Sequence, residues 1–273
     1  MSASSPFVLL SFDAEEFDLP RENGVELSLE EAVRVSEQGI SVILDMLKEN
    51  DVQATFFCTS NFATHAHDAV RRMLSDGHEV ASHGCDHWRP AIGDAALSKN
   101  ILEKFTGTSI LGYRQPRMAA VSTQELAAQG YLYDSSLHPT FIPGRYMHLG
   151  APRVPFIKDG LVELPMSVTT WLRLPLFWLA CHHYPFSLYR WLCLRTLRHD
   201  GHLVLYFHPW EFVPLAKHPE WKIPMLIRRR SGTSMQERLF SLITALKREG
   251  ATFCTYRKFA EKVKNEKAEK AKK

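Results

Sequence analysis

The sequence predicts an α/β barrel, with parallel strands curled into a core and helices packed outside. Three observations carry that expectation. Short apolar runs alternate with segments of helical period along most of the chain, the pattern of repeated β–α units. The apolar runs are continuous rather than alternating, as strands buried on both faces require. The length, 273 residues, is long for an ordinary domain but usual for an α/β barrel folding as one unit. Hydrophobic residues make up 45% and charged residues 23%, which places the chain among globular proteins. A net charge of only +3 gives no reason to expect a nucleic-acid partner.

The elements follow in order. "FVLLSFD" reads as the first buried strand, and "LEEAVRVSEQGISVILDMLKEND" as an amphipathic helix ending near Asn50 and Asp51. "QATFFCT" is the next strand, "HDAVRRMLSDG" a helix stopped by Gly77, and "HEVASH" the third strand. The alternation continues through "ALSKNILEKFTG", "ILGYRQP", "STQELAAQG" and "YLYDSS". Late in the chain come the strand "HLVLYFHP", the helix "MQERLFSLITALKREG" and the strand "ATFCTY". No internal repeat and no Gly/Ser linker divides the sequence, so it reads as one domain, 1–273. Its core runs from about 7 to 260, with an irregular insertion, rich in Pro, Trp and Arg, from about 139 to 197. A Lys-rich, helix-prone tail, about 262–273, is expected to be flexible and to fray into solvent.

In parallel α/β barrels the working residues sit at the carboxyl ends of the strands. Here those ends read "SFDAEEFD", "ASHGCDH", "RQP" and "YFHPWEF", and each carries ionisable groups beside an apolar strand body. His83 and His87, four apart in "SHGCDHW", have a spacing that sets two ring nitrogens on one side of a helical turn, at a reach suiting one cation. Two solvated or core histidines would give the same match. Asp13 and Glu15 are two apart, so in extended backbone both point one way and Glu16 the other. The first strand can therefore offer one carboxylate as a third ligand and one as a base. Two His and a carboxylate suit a hydrolytic divalent metal; Zn²⁺ fits best, with Fe²⁺, Co²⁺ or Ni²⁺ also suited.

The ordered set "SFDAEEFD", "SHGCDH", "GYRQP" and "LYFHP" resembles the polysaccharide deacetylase family, the NodB-homology group of carbohydrate esterase family 4, over roughly residues 7–260. "YDSSLHPTFIPGRY" is similar to a stretch of a bacterial branch of that family. The resemblance implies an irregular (β/α) barrel of about seven strands that removes N- or O-acetyl groups from sugars. By the same resemblance Asp13 is the catalytic base, His83 and His87 are metal ligands, Arg114 orients the base and His208 is the catalytic acid. Glu15 falls where the family places its carboxylate ligand, although the commonest pattern there is two adjacent aspartates; Glu16, or no carboxylate ligand, stays open. Arg117 follows "RQP" where many members carry an aromatic, so Pro116 and Arg117 are candidates for the substrate and oxyanion subsite, through the Arg117 backbone N–H.

The expected function is a metal-dependent hydrolase acting on carbon–nitrogen bonds other than peptide bonds. It would remove an acetyl or formyl group from an amino sugar of a polysaccharide or lipid-linked glycan. Two other readings stand beside it: a catalytically silent glycan-binding barrel without metal, and a metal-free amidohydrolase acting on a small cyclic amide. The joint presence of His83, His87 and His208 weighs against the last. Five scattered cysteines predict reduced thiols and a cytoplasmic location. The N-terminus reads as neither signal nor anchor, and Arg or His interrupts each apolar stretch before it could span a bilayer. The segment 169–198 packs Trp171, Phe177, Trp178, Tyr184, Phe186, Tyr189 and Trp191 among Leu and Arg. These aromatics either close the barrel or, with Arg173, Arg190, Arg195 and Arg198, meet the inner membrane face as a peripheral contact.

Overall fold

The computed structural model describes residues 5–271. Its strands in chain order are β1 (Phe7–Ala14), β2 (Thr55–Cys58), β3 (Glu79–Ser82), β4 (Gly112–Tyr113), β5 (Tyr133–Asp134) and β6 (Phe141–Ile142). They continue with β7 (Tyr146–Met147), β8 (Phe156–Lys158), β9 (Leu161–Glu163), β10 (His202–Phe207) and β11 (Thr252–Phe253). Seven run parallel in the order β10–β1–β2–β3–β4–β5–β9. β8 extends one edge antiparallel to β9, β11 pairs with the start of β1, and β6–β7 form a separate hairpin. The sheet curls without closing a full ladder. The chain leaving β9 crosses to the β10 edge, where Ser167 N donates to Val204 O (3.1 Å) and Val204 N to Ser167 Oγ (2.8 Å).

Apolar composition explains this core. Val8, Leu9, Leu10 and Phe12 of β1 are buried, as is all of β2. The barrel interior is aromatic: Phe57 meets Tyr256 edge-on at 5.3 Å and Tyr133 at 6.3 Å. Tyr256, the first residue of the last helix, reaches in to place its hydroxyl 3.0 Å from Ser11 Oγ. Outside, the helix Leu29–Glu49 starts at Ser28, whose hydroxyl accepts from Glu31 N (3.1 Å), satisfying a donor that a helix start leaves free. Its Gly39 lies against the Pro209 backbone so closely that a Cβ would fall 1.9 Å from the carbonyl oxygen. That contact fixes the turn just after His208.

Two expectations need correction. The stretch 139–197 is not wholly an insertion: it contains β9, a strand of the barrel, and most of the helix Phe186–Asp200 that precedes β10. β9 is only three residues long, too short for periodicity to reveal it. The Lys-rich tail is helical through Ala271, as its helix-prone composition implies, laced by Arg257–Glu261 and Lys262–Glu266 pairs at helical spacing; residues 272–273 lie outside the described residues. A short helix, Ser60–His65, stands where the sequence suggested only a connection.

In β5 and β9, Asp134 and Glu163 sit directly opposite each other. Burial, then mutual repulsion, pushes the Glu163 carboxyl up; burial also raises Asp134 against its bonds from Ser136. The folded pair keeps a proton that the unfolded chain releases, so stability must fall as pH rises above the ordinary carboxyl range of about 4. Melting temperatures between about pH 5 and pH 8 should show this fall, and Glu163→Gln should flatten it. An unchanged slope in that variant would contradict the pairing. Gly39→Ala should cost about 1–3 kcal/mol by overpacking and lower activity by shifting His208; a wild-type melting temperature would show that the contact is slack.

Candidate active site

Each functional side chain reaches the site from a strand end. At the end of β1 and just beyond it, Asp13 and Glu15 point to one side and are both 2% exposed. Glu16 points away, held by Thr59 Oγ1 at 3.0 Å. The same hydroxyl accepts from Phe62 N (3.0 Å) and so caps the Ser60–His65 helix. The first two N–H groups of that helix bond the carbonyls of Gly84 (3.0 Å) and Cys85 (3.1 Å), which shapes the loop after β3. Gly84 adopts φ +73° there, and a Cβ on it would press on Pro116 at 3.0 Å. The loop then returns His87 over His83, with ring centroids 5.5 Å apart. The two histidines are not on a helical turn as expected; a left-handed glycine and the helix beside it replace that geometry.

Glu15, His83 and His87 converge, with ligand atoms all within 4.8 Å of one another. Glu15 Oε2 lies 3.2 Å from His83 Nε2 and 3.2 Å from His87 Nε2. His83 Nδ1 donates to the Arg114 carbonyl (2.8 Å), and His87 Nδ1 to Asp18 Oδ2 (2.8 Å). Each bond fixes the tautomer and turns the Nε2 lone pair inward. Burial drives the His83 ring below its ordinary pKa, towards the neutral form that a ligand needs. Yet Glu15 Oε2 and His83 Nε2, both buried, have no hydrogen-bond partner, so two acceptors face each other. Burial, with the charges of Asp18, Asp13 and Glu16, pushes the Glu15 carboxyl well above its usual range against the pull of His87. A cation relieves all of this. A tetrahedral ion with bonds of about 2.0–2.1 Å spaces its ligands about 3.3 Å apart, so the donor set fits a divalent metal.

Asp13 is tied to the fully buried Arg114 guanidinium. Burial works to raise its pKa, but Arg114, with His83 and His208 nearby, holds it below the ordinary value. Across the cavity, His208 Nε2 lies 3.9 Å from Glu15 Oε1, and its ring stacks on Trp210 at 5.0 Å. Glu211 holds His208 twice, at Nδ1 (3.1 Å) and at the backbone N–H (2.6 Å). His182 Nε2 meets the other Glu211 oxygen at 3.0 Å. Arg117 is in left-handed backbone (φ 58°, ψ 15°), followed by Met118 (φ 52°). Two such residues in succession store strain beside the site. The Arg117 side chain pairs with Glu22, approaches Asp18 at 3.7 Å and lies 4.9 Å from the Trp88 ring centre. The cavity holds about 260 Å³ and is lined by Asp13, His83, His87, Arg117, Tyr146 and His208 among others.

The structure thus gathers Asp13, Glu15, His83, His87, Arg114 and His208, with Arg117 at the edge; Pro116 is buried behind it against Gly84 and does not line the cavity. Sequence reasoning missed Asp18, Glu211 and His182. Asp18 and Glu211 lie inside the quoted strand-end motifs, so the signal was present; His182, read as structural, comes from a distant helix. Residues 4–128 match the polysaccharide deacetylase family model, and residues 135–260 a domain of unknown function, DUF3473. The peptidoglycan deacetylase of Helicobacter pylori is 28% identical over 157 residues, 48% of this chain and 53% of that protein. A chitooligosaccharide deacetylase of Sinorhizobium fredii is 44% identical over 62 residues, 22% of this chain and 29% of that protein. The chain therefore spans about half the length, or less, of these curated relatives. Among solved structures, a Mycobacterium smegmatis protein assigned as a polysaccharide deacetylase superposes with TM-score 0.67 at 20% identity, covering 98% of this chain and 93% of that one. An allantoinase superposes with TM-score 0.63 at 16% identity, covering 96% and 91%. Both share the fold.

His83→Ala should abolish zinc binding in a metal-content assay, and full occupancy would sink the assignment. Asp18→Asn should weaken zinc affinity about 10–100-fold, the scale for a ligand's supporting partner. Glu16→Gln should leave it unchanged. The family model and the ordered strand-end motifs agree: residues 4–128, which carry Asp13, Glu15, His83, His87 and Arg114, match the polysaccharide deacetylase family, and the chain as a whole shares the barrel fold.

Proposed function

We propose that the protein hydrolyses the N-acyl group, acetyl or formyl, of an amino sugar in a glycan. The observation that carries this reading is a carboxylate kept ionised by a buried arginine, Asp13 by Arg114, beside the Glu15–His83–His87 set and facing His208. A divalent ion held by that set, Zn²⁺ ahead of Fe²⁺, Co²⁺ or Ni²⁺, would supply the positive charge that acidifies water and polarises an acyl carbonyl. Asp13 accepts the proton from the attacking water, and Arg114 keeps it oriented and anionic. The oxyanion accepts from the backbone N–H of Arg117, a residue that lines the cavity in a left-handed turn. His208, its Nδ1 side held by Glu211, presents Nε2 to the leaving amine and protonates it.

The substrate class is supported by the peptidoglycan and chitooligosaccharide deacetylases among the relatives. The finer assignment to the cytoplasmic side is supported by the free thiols of Cys58, Cys85, Cys181, Cys193 and Cys254, which suit a reducing compartment; a lipid-linked glycan is the form in which a sugar bound for export would meet the protein there.

An acetate- and formate-release screen over N-acyl sugars, free and lipid-linked, tests the reading directly. Release should occur with zinc-loaded protein and fall about 10²–10⁴-fold in kcat in Asp13→Asn and in His208→Ala, with zinc binding retained. Turnover of a cyclic amide without acyl release from any sugar would place the chain with the amidohydrolases instead. Metal binding without turnover of either would identify a silent glycan-binding barrel.

A further inference from the structure

The aromatic segment 169–198 divides in two. Phe177, Trp178 and Tyr189 are buried, and Trp178 packs edge-on against the His208 ring at 5.1 Å, so they belong to the core and the site. Trp171 and Leu172 are the opposite: 87% and 76% exposed at the tip of a turn. That turn is rigid. Val168 bridges Pro175, Thr169 N donates to Leu174 O (2.9 Å), and Arg173 adopts φ 51°. It is also bound to the β6–β7 hairpin. Thr140 Oγ1 donates to Arg173 O (2.6 Å), and the Arg173 guanidinium donates to Ala151 O (2.7 Å). The hairpin and the loop after it expose Phe141, Met147 and Leu149. Five large apolar side chains therefore stand on two elements locked together, where scattered single exposures would be ordinary.

The two stretches that build this face carry charge of one sign. From Ser135 to Lys158, and from Leu164 to His199, the sequence contains no Asp or Glu, although the chain carries 30 acidic residues. Both stretches carry arginines. Arg153 and Arg198 are spent on Asp200 and Glu249, and Arg173 on carbonyls. Arg145, Arg190 and Arg195 have no carboxylate partner among the described residues. A second copy of the chain is a poor occupant, because a two-fold contact would set these acid-free, arginine-bearing segments against themselves.

We infer that the β6–β7 hairpin and the 169–175 turn dock the protein on an anionic lipid surface, with Trp171, Leu172 and Met147 entering the headgroup region and the free arginines meeting lipid phosphates. The cavity shares this edge: Arg145 and Tyr146 of the hairpin line it. Docking thus holds the cavity mouth at headgroup level, where a lipid-linked sugar is presented. The docking stands apart from the catalytic reading, while its use in presenting substrate rests on that reading.

The test is co-sedimentation of the full chain with vesicles of phosphatidylcholine alone and of phosphatidylcholine with phosphatidylglycerol, without substrate. Binding should require phosphatidylglycerol, weaken as salt shortens the screening length, and fall at least about tenfold in Trp171→Ser/Leu172→Ser. These side chains are solvent-exposed, so the melting temperature and turnover of soluble substrate should be unchanged; Met147→Ser, on the other element, should weaken binding independently. No binding at low salt, equal binding to phosphatidylcholine alone, or full binding by both variants would overturn the inference. So would dimerisation abolished by the same substitutions. Vesicle binding by a protein that releases no acyl group would sink the catalytic reading and leave the docking intact.

Discussion

The site depends on one residue, Arg114, which β4 delivers into the barrel with no exposure to solvent. Its guanidinium is satisfied on every side: Asp13 at one nitrogen, the Ser135 carbonyl at Nε (3.1 Å), the Tyr256 hydroxyl at Nη2 (3.2 Å). Its plane lies 3.8 Å from the Phe57 ring centre. A buried charge survives only when paired and hydrogen-bonded in this way, and breaking such a pair typically costs about 3–5 kcal/mol. Its backbone takes part as well, since the carbonyl orients His83. One residue therefore sets the charge of the base and the direction of a ligand, and it draws β1, β3, β5 and the last helix into one arrangement.

Around that hub the cavity has two unlike walls. The wall from the first half of the chain carries the carboxylates and the ligand histidines. The wall from the second half carries Arg145, Tyr146, Trp178, Tyr206 and His208, without a carboxylate in direct line with solvent. Glu211 is the exception in sequence, and it is wholly buried between His208 and His182. Burial drives the His182 ring down to about 3, so His182 is neutral and supports Glu211 by hydrogen bonding rather than by charge. The division corresponds to the two matched segments, residues 4–128 and 135–260, which contribute strands to one sheet.

Much of this was legible in the sequence because parallel strands impose a simple rule. Their bodies must be apolar, and their carboxyl ends must face one side, so the motifs ending in Asp13, His83, Arg114 and His208 could be assigned to one pocket. Period-two geometry separated Glu15 from Glu16, and the structure places them on opposite sides. What the sequence hid was set by tertiary contact. The His83–His87 loop takes its form from a helix start at Ser60 and a left-handed Gly84, neither of which the His spacing reveals. β9 is recognisable only through its neighbour β5. In 169–198 the same residue types serve core and surface: Trp178 is buried and Trp171 is exposed, and composition carries no sign of which.

Everything in the site turns on Glu15, His83 and His87 holding a divalent metal, and the metal's own ligand shell reports on that set without an intermediary. X-ray absorption on zinc-loaded protein should show imidazole nitrogen and carboxylate oxygen at about 2.0–2.2 Å and no sulfur. Cys85 lies between the two histidines in sequence, but its thiol is turned to the Asp94 carbonyl at 3.7 Å. A sulfur at about 2.3 Å, or a shell of oxygens without imidazole, would contradict the account.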